Sequence, residues 1–309
     1  MCGIIGYIGK SKAVPYLLDG LDKLEYRGYD SAGIAVFEKE EISVTKTEGR
    51  LSVLKSIIAS KKQSDSVIGI GHTRWATHGE PSTVNSHPHL SQSGLFAVVH
   101  IGIIENYSQL KSELIKEGFC FSSETDTEVI SNLLERNYNG DLLSCVAKTT
   151  AMLSGSYALC ILCRDFPDRI ISTRLGSPLI CGIGSNGIFM SSDILAISDK
   201  AEKIYRAEAS EIVVASFQGA EFFSSDGKRI EKTAEKISKK LLKTDKDGFE
   251  HYMLKEIFEQ PKAVRDTLNS VITDGKISLQ GLGICKSQAE KINSIYINTY
   301  AFRNTYSGA

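Results

Sequence analysis

No apolar run in these 309 residues approaches the ~20 consecutive residues that a bilayer-spanning helix needs. An excess of charge of one sign is missing as well. The 36 basic and 37 acidic residues leave a net charge of −1, so nothing points to nucleic acid or an anionic membrane as a partner. The chain does not open on a basic segment followed by an apolar one, so a signal peptide is not expected, and the reading is a cytoplasmic protein. Cysteine occurs in an odd number at wide spacing: Cys2, Cys120, Cys145, Cys160, Cys163, Cys181 and Cys285. That argues against a disulfide framework. Cys160-Ile-Leu-Cys163 superficially matches a redox or metal pair, but it lies in an apolar run of strand character. Residues three apart on a strand point to opposite faces, so these two read as small buried hydrophobes. Length alone suggests one large or two small domains, and apolar residues suffice for a core.

What is there starts at the second residue. Met1-Cys2-Gly3-Ile4-Ile5-Gly6 places a cysteine where trimming of the initiator methionine would expose it. It would then carry a thiol and a free α-amine. The thiolate is the useful nucleophile, and a free cysteine is only partly ionised at neutral pH. An α-amine with a pKa of ~7.7–8.0 is partly neutral there, and so serves as a base. Nucleophile and base then sit together without a histidine, as in threonine enzymes that use their own terminal amine. Gly3 and Gly6 would let another group come close to this backbone. A small second residue is also common for turnover reasons alone, so the rest of the chain has to decide.

Ile4–Ile8 reads as a buried strand, and residues 12–25 as a helix with Val14, Leu17, Leu18, Leu21 and Leu24 at helical spacing. Ile34–Phe37 and Ile42–Thr47 form a candidate strand pair, Leu51–Ser60 a short helix, and Val67–His72 and Leu95–His100 further strands. Helices are predicted at 108–117, 126–137 and 142–153, then many short strands between 157 and 224 with a short helix near 193–197. This pattern suggests layers of antiparallel sheet with helices outside. Residues 228–247, rich in lysine, read as a solvated connector, with phosphate binding as the alternative. A helix over 251–268 is expected to be interrupted or kinked at Pro261, and Ile295–Thr299 to be a strand.

Five of the six histidines lie between 72 and 100, and His72-Thr-Arg-Trp-Ala-Thr-His-Gly79 contains the only tryptophan. A metal site is one reading of the histidines, but there is no HExxH pattern and no obvious carboxylate set. The other reading is a substrate pocket shaped by Arg74, Trp75, Thr77 and His78. Arginine offers a planar fork to a carboxylate, and Asp126 could meet an α-ammonium group. Taken singly, each is a loop residue or a helix cap. Taken together with Cys2, they describe a pocket for a zwitterionic amino acid beside a thiol.

Cys2-Gly-Ile-Ile-Gly6, Glu25-Tyr-Arg-Gly-Tyr-Asp-Ser-Ala-Gly33, His72–Gly79 and Ser123-Glu-Thr-Asp-Thr-Glu128 resemble the class II glutamine amidotransferases. Leu24–Ser31 and His251-Tyr-Met-Leu-Lys-Glu-Ile-Phe-Glu-Gln-Pro261 resemble the branch that aminates fructose 6-phosphate to glucosamine 6-phosphate. The resemblance implies an α+β fold, a four-layer α/β/β/α sandwich of N-terminal-nucleophile hydrolase type. It implies a glutaminase domain over residues 1–227, a linker over 228–250, and over 251–309 the start of a truncated sugar-isomerase region. It also implies L-glutamine as substrate, no cofactor and no metal. Fructose 6-phosphate and a homodimer belong to the full-length family.

Residue by residue, the resemblance makes Cys2 the nucleophile and gives an oxyanion N–H to Gly102. Arg74 would bind the glutamine carboxylate and Asp126 the ammonium. Trp75, Thr77, His78 and Gly79 would line or support the pocket, and Arg27 would couple it to sugar-phosphate binding.

Two departures stand out. The family motif His-Asn-Gly-Ile-Ile-Glu-Asn reads His100-Ile-Gly-Ile-Ile-Glu-Asn106 here, so Ile101 replaces an asparagine that donates to the oxyanion. Losing one such donor costs ~10²–10³ in rate, so weak glutaminase activity is expected. Locally, Ile101 reads as a β-branched residue ending a strand. The segment Ile297–Ala309 also fits the family poorly. The expected activity is glutamine to glutamate plus ammonia. The alternatives are a glutamine-binding chain without useful catalysis and a non-functional fragment.

Overall fold

In-out alternation along β1 (Gly3–Gly9) sets the layering. Ile4 and Ile8 join one apolar cluster, while Ile5 and Tyr7 join another on the opposite face. The computed structural model describes residues 2–62, 64–237, 248–273, 276–277 and 290–294. The chain divides into two units, Met1–Leu242 and Lys243–Ala309.

In the first unit, β1 is followed by α1 (Ala13–Leu24), β2 (Ser31–Glu38), β3 (Glu41–Glu48), α2 (Leu51–Ser60), β4 (Ile68–Arg74), β5 (His89–Leu90) and β6 (Phe96–Ile104). Then come α3 (Tyr107–Lys116), α4 (Thr127–Asn137), α5 (Leu142–Thr150), β7 (Gly155–Cys163), β8 (Arg169–Leu175), β9 (Ile180–Gly184) and β10 (Gly187–Ser191). The series ends with β11 (Lys203–Arg206), β12 (Ile212–Ser216), β13 (Gly219–Phe223), β14 (Arg229–Ile230) and β15 (Glu235–Lys236).

Two sheets result. One has eight strands in the order β15-β11-β9-β10-β1-β4-β2-β3, and the other seven in the order β14-β13-β12-β8-β7-β6-β5. Every pairing in them is antiparallel.

Three apolar clusters separate four layers. Between the sheets lie Ile4, Ile70, Val99, Cys160 and Met190. Leu17, Leu21 and Leu24 of α1 and Leu51 and Leu54 of α2 cover the outer face of the eight-stranded sheet. Leu110 and Leu114 of α3, Val129 and Leu133 of α4 and Val146 of α5 cover the outer face of the other. The expected α/β/β/α sandwich is therefore present. Cys160 belongs to the inter-sheet cluster and Cys163 to the helix-side cluster, as their odd spacing on one strand requires. Both are free thiols, and burial pushes them up to about 12 and about 11.

Three expectations need correction. β6 continues past His100 to Ile104, with Ile101 opposite Ala158, so Ile101 lies inside a strand and does not end one. Pairing with β7 carries the chain through Gly102, which locally looks like a break. Residue 228 does not begin a connector, because β14 and β15 each extend an edge of a sheet. Their shortness conceals this, with only Arg229-Ile230 and Glu235-Lys236 to read. Main-chain bonding at an edge needs no apolar side chain, and charged residues are favoured there. Finally, α6 (Tyr252–Val271) in the second unit is not interrupted at Pro261, which lies inside it. It is followed by a two-residue ladder between β16 (Ile272–Thr273) and β17 (Lys276–Ile277). The strand expected at 295–299 and the tail beyond it lie outside the described residues, as do residues 238–247 and Cys285.

Candidate active site

Cys2 immediately precedes β1 at the sheet centre, beside the end of β4. Gly3 pairs with Thr73, which brings Trp75 to the thiol. The Trp75 N–H donates to Cys2 Sγ at 3.3 Å, and the Trp75 carbonyl lies 3.5 Å from the same sulfur. Burial raises the thiol pKa. The Trp75 N–H, the chain's N-terminal charge and Arg74 act against it, while Asp126 raises it further. The thiol is thus neutral by default and needs a base to react.

Arg74, buried at the end of β4, turns its guanidinium to the following loop. Nη1 donates to the Glu80 carbonyl at 3.3 Å, and Nη2 to the Gly79 carbonyl at 3.1 Å and to that of His78. Two of its five N–H groups have no acceptor among the described residues. Desolvation lowers its pKa, opposed by Cys2, Asp30 and Asp126.

Asp126 is 4 % exposed just ahead of α4. One of its carboxylate oxygens accepts the Ile104 N–H at 2.9 Å, and the other lies 4.0 Å from His100 Nδ1. A cation and an anion, each held by hydrogen bonds, therefore both act electrostatically on one thiol.

The remaining expected residues divide. Trp75 stacks edge-on against Tyr29, with ring centroids 5.6 Å apart. His78 does the same against Tyr107 at 5.0 Å, and its Nδ1 is buried without a hydrogen-bond partner among the described residues. Gly79 adopts φ +73° and presents its carbonyl to Arg74. Thr77 is exposed. Arg27 is buried, and its Nε donates to the Cys2 carbonyl at 3.1 Å.

Alternation along β6 turns Ile101 into the inter-sheet core, 6 % exposed, in the cluster against which Cys2 packs. Gly102 has φ +132°, and a Cβ there would lie 1.9 Å from the Ser156 carbonyl oxygen. Only glycine fits that backbone.

Sequence reasoning missed the groups behind the site. Asp30 accepts the Ala76 N–H at 2.8 Å and so holds the segment after Trp75. His72, His87, His89 and His100 are buried together. His72 stacks on His87 at 4.1 Å and bonds the His100 carbonyl at 2.9 Å, and His100 Nδ1 meets Thr127 Oγ1 at 2.9 Å. Desolvation lowers the pKa of all four, His72 to about 3. Among the described residues no group of three or more His, Cys, Asp or Glu side chains is placed to hold a metal ion. No helix among them is long and apolar enough to cross a membrane.

This four-layer sandwich, with a cysteine leading its central strand, is the architecture of class II, N-terminal-nucleophile amidotransferases. Glutamine phosphoribosylpyrophosphate amidotransferase from B. subtilis, complexed with ADP and GMP, matches 77% of this chain and 50% of its own at a TM-score of 0.62 and 24% identity. A structure described as the allosteric regulatory enzyme of purine biosynthesis matches 77% of this chain and 49% of its own at a TM-score of 0.64 and 25% identity. The chain belongs to the glutamine amidotransferase family, whose domain, described as "Glutamine amidotransferase domain", matches residues 59–256. It is similar to the glutamine–fructose-6-phosphate aminotransferase (isomerizing) of Caldanaerobacter subterraneus subsp. tengcongensis, 51% identical over 96% of this chain and 49% of that protein. The same named enzyme of Clostridium acetobutylicum is 49% identical over the same shares. The chain spans about half the length of the curated relatives it matches.

Proposed function

We propose that the chain hydrolyses glutamine to glutamate and ammonia through a Cys2 thioester. The observation that carries this reading is one thiol within electrostatic reach of both the Arg74 guanidinium and the Asp126 carboxylate, charges complementary to an amino acid's carboxylate and ammonium. Removal of Met1 would turn the Cys2 nitrogen into a free amine. That amine takes the Sγ proton, which matters because burial keeps the thiol protonated. Sγ then attacks the side-chain carboxamide carbon. The Gly102 N–H stabilises the tetrahedral oxyanion, and the amine returns the proton to the departing ammonia. Water hydrolyses the thioester and releases glutamate. Trp75, His78 and Gly79 support the pocket wall, with Thr77 at its exposed rim.

Ile101 brings no hydrogen-bond donor to the oxyanion, which sets a low rate. This one residue favours a second reading, a chain that binds glutamine without useful turnover. The longer relatives carry fructose 6-phosphate in their names, and we propose that sugar as the ammonia acceptor in an assembly that includes the corresponding half. Arg27 would couple its occupancy to the thiol.

The test is steady-state ammonia release from the Met1-free chain, with Cys2→Ala as control and glutamine binding measured in parallel. Release that vanishes in Cys2→Ala supports hydrolysis. Binding without release supports the second reading, and neither binding nor release refutes both.

A further inference from the structure

We propose that Asp193 is a positioning residue for the Cys2 thiol, acting through Arg27. The inference rests on the reading of Cys2 as the nucleophile. Arg27, at the end of a 3₁₀ turn over Glu25–Arg27, is 8 % exposed, and its guanidinium bridges two groups from distant parts of the chain. Nε donates to the Cys2 carbonyl at 3.1 Å, and Nη1 to Asp193 Oδ2 at 2.9 Å.

A buried guanidinium needs a counter-charge, and among the described residues Asp193 is the carboxylate within ion-pair distance of it. Asp193 is itself held firmly. Its Oδ1 accepts the Leu195 N–H at 3.0 Å, its Oδ2 accepts the Tyr26 hydroxyl at 2.8 Å, and its own N–H donates to Ser191 Oγ at 3.1 Å. The adjoining Ser192 is tied to Ile4 of β1, two residues beyond the thiol, in both directions: its Oγ accepts the Ile4 N–H at 3.0 Å, and its own N–H donates to the Ile4 carbonyl at 3.1 Å. The Cys2 carbonyl is one bond from the Cα that carries the thiol. Fixing that carbonyl restrains the Cys2 main-chain torsion, and so the placement of the Cβ from which Sγ reaches the Trp75 N–H. Without the carboxylate, the guanidinium gains more by turning to solvent than by holding one carbonyl, and the thiol loses its preset direction.

The experiment compares the Met1-free parent, Asp193→Asn and Tyr26→Phe. It measures the second-order rate of Cys2 alkylation by iodoacetamide, followed on the Cys2 peptide by mass spectrometry, together with kcat and KM for glutamine and the melting temperature. Iodoacetamide has no need of the Arg74 and Asp126 charges, so it reads the thiol alone.

Asp193→Asn is expected to slow alkylation and kcat by about 10-fold, the scale of one charge-assisted hydrogen bond, with KM within about 2-fold. Tyr26→Phe, at an exposed side chain, is expected to slow both by about 2–3-fold while folding normally. A purely structural role would lower the melting temperature and leave the rate per folded molecule unchanged. A folded Asp193→Asn chain with parental alkylation and kcat therefore overturns the inference. If Asp193→Asn does not fold, Arg27→Lys replaces it, because a lysine keeps the charge but cannot bridge both acceptors; parental rates there also overturn the inference. A parent whose Cys2 takes no adduct overturns the reading of Cys2 as nucleophile, and the inference with it.

Discussion

Ile101→Asn should make this chain a faster glutaminase. Ile101 lies inside β6, opposite Ala158, with its side chain in the inter-sheet core against which Cys2 packs. Asparagine at this position would carry a side-chain N–H into that space beside the Gly102 backbone. A second oxyanion donor is worth ~2.7–4 kcal/mol in the transition state, or ~10²–10³ in kcat. The ground state gains little, because a neutral carboxamide oxygen carries less charge than the oxyanion. KM should therefore change by less than about 3-fold.

Stability should move the other way. Ile101 is 6 % exposed, and replacing it loses apolar burial and adds an amide whose second group lacks an assured partner. A cost of about 1–3 kcal/mol is expected. Ammonia release at saturating glutamine and a thermal melt read the two effects separately. Ile101→Val controls for packing: it should cost about 0.5–1.5 kcal/mol and leave kcat where it was. If Ile101→Asn folds, binds glutamine and turns over no faster, the oxyanion account of this position is wrong.

Further outcomes follow from the same geometry. Asp126→Asn keeps an acceptor for the Ile104 N–H but removes the charge, so KM for glutamine should rise by about 10-fold or more with a smaller change in kcat; an unchanged KM would remove Asp126 from the ammonium site. Gly102→Ala forces a Cβ to 1.9 Å from the Ser156 carbonyl at φ +132°, so the purified chain should melt well below the parent or fail to fold, and a parental melt would refute that backbone geometry. Stability should fall on acidification. The buried His72, His87, His89 and His100 have folded pKa values below the ordinary 6.5, so between pH 6.5 and the lower folded values the unfolded chain binds protons that the native chain does not. Unfolding free energy then drops by up to about 1.4 kcal/mol per pH unit for each histidine. Urea denaturation at pH 7.5 and pH 5.5 measures the drop, and equal midpoints would contradict the burial of these rings.

Periodicity carried much of the fold. The alternation of Ile4 to Ile8, the helical spacing of Leu17, Leu21 and Leu24, and the hairpin between β2 and β3 could each be read locally, because strand and helix repeat with different periods. Edge strands escaped that reading. β14 and β15 are two residues long, too short to show a period, and they form where a neighbouring strand offers main-chain partners. Ile101 was misplaced at a strand end for a related reason. Gly102 breaks the local pattern, and pairing with β7, a segment far along the chain, carries the strand through it.

The sequence by itself determined the chemistry available: a cysteine able to become the first residue, an arginine and an aspartate in distinctive motifs, and an isoleucine, with no side-chain donor, at position 101. Residue identity settles those matters, because a thiol, a guanidinium or an alkyl side chain is covalent fact. Only the tertiary structure decided which of them meet. The Trp75 N–H reaches Cys2 across 73 residues and Asp193 reaches Arg27 across 166, while Asp126 is fixed through the Ile104 N–H. Such contacts depend on which strands lie side by side in the sheets, and strand order is set by packing of the whole core, to which no local stretch of sequence has access.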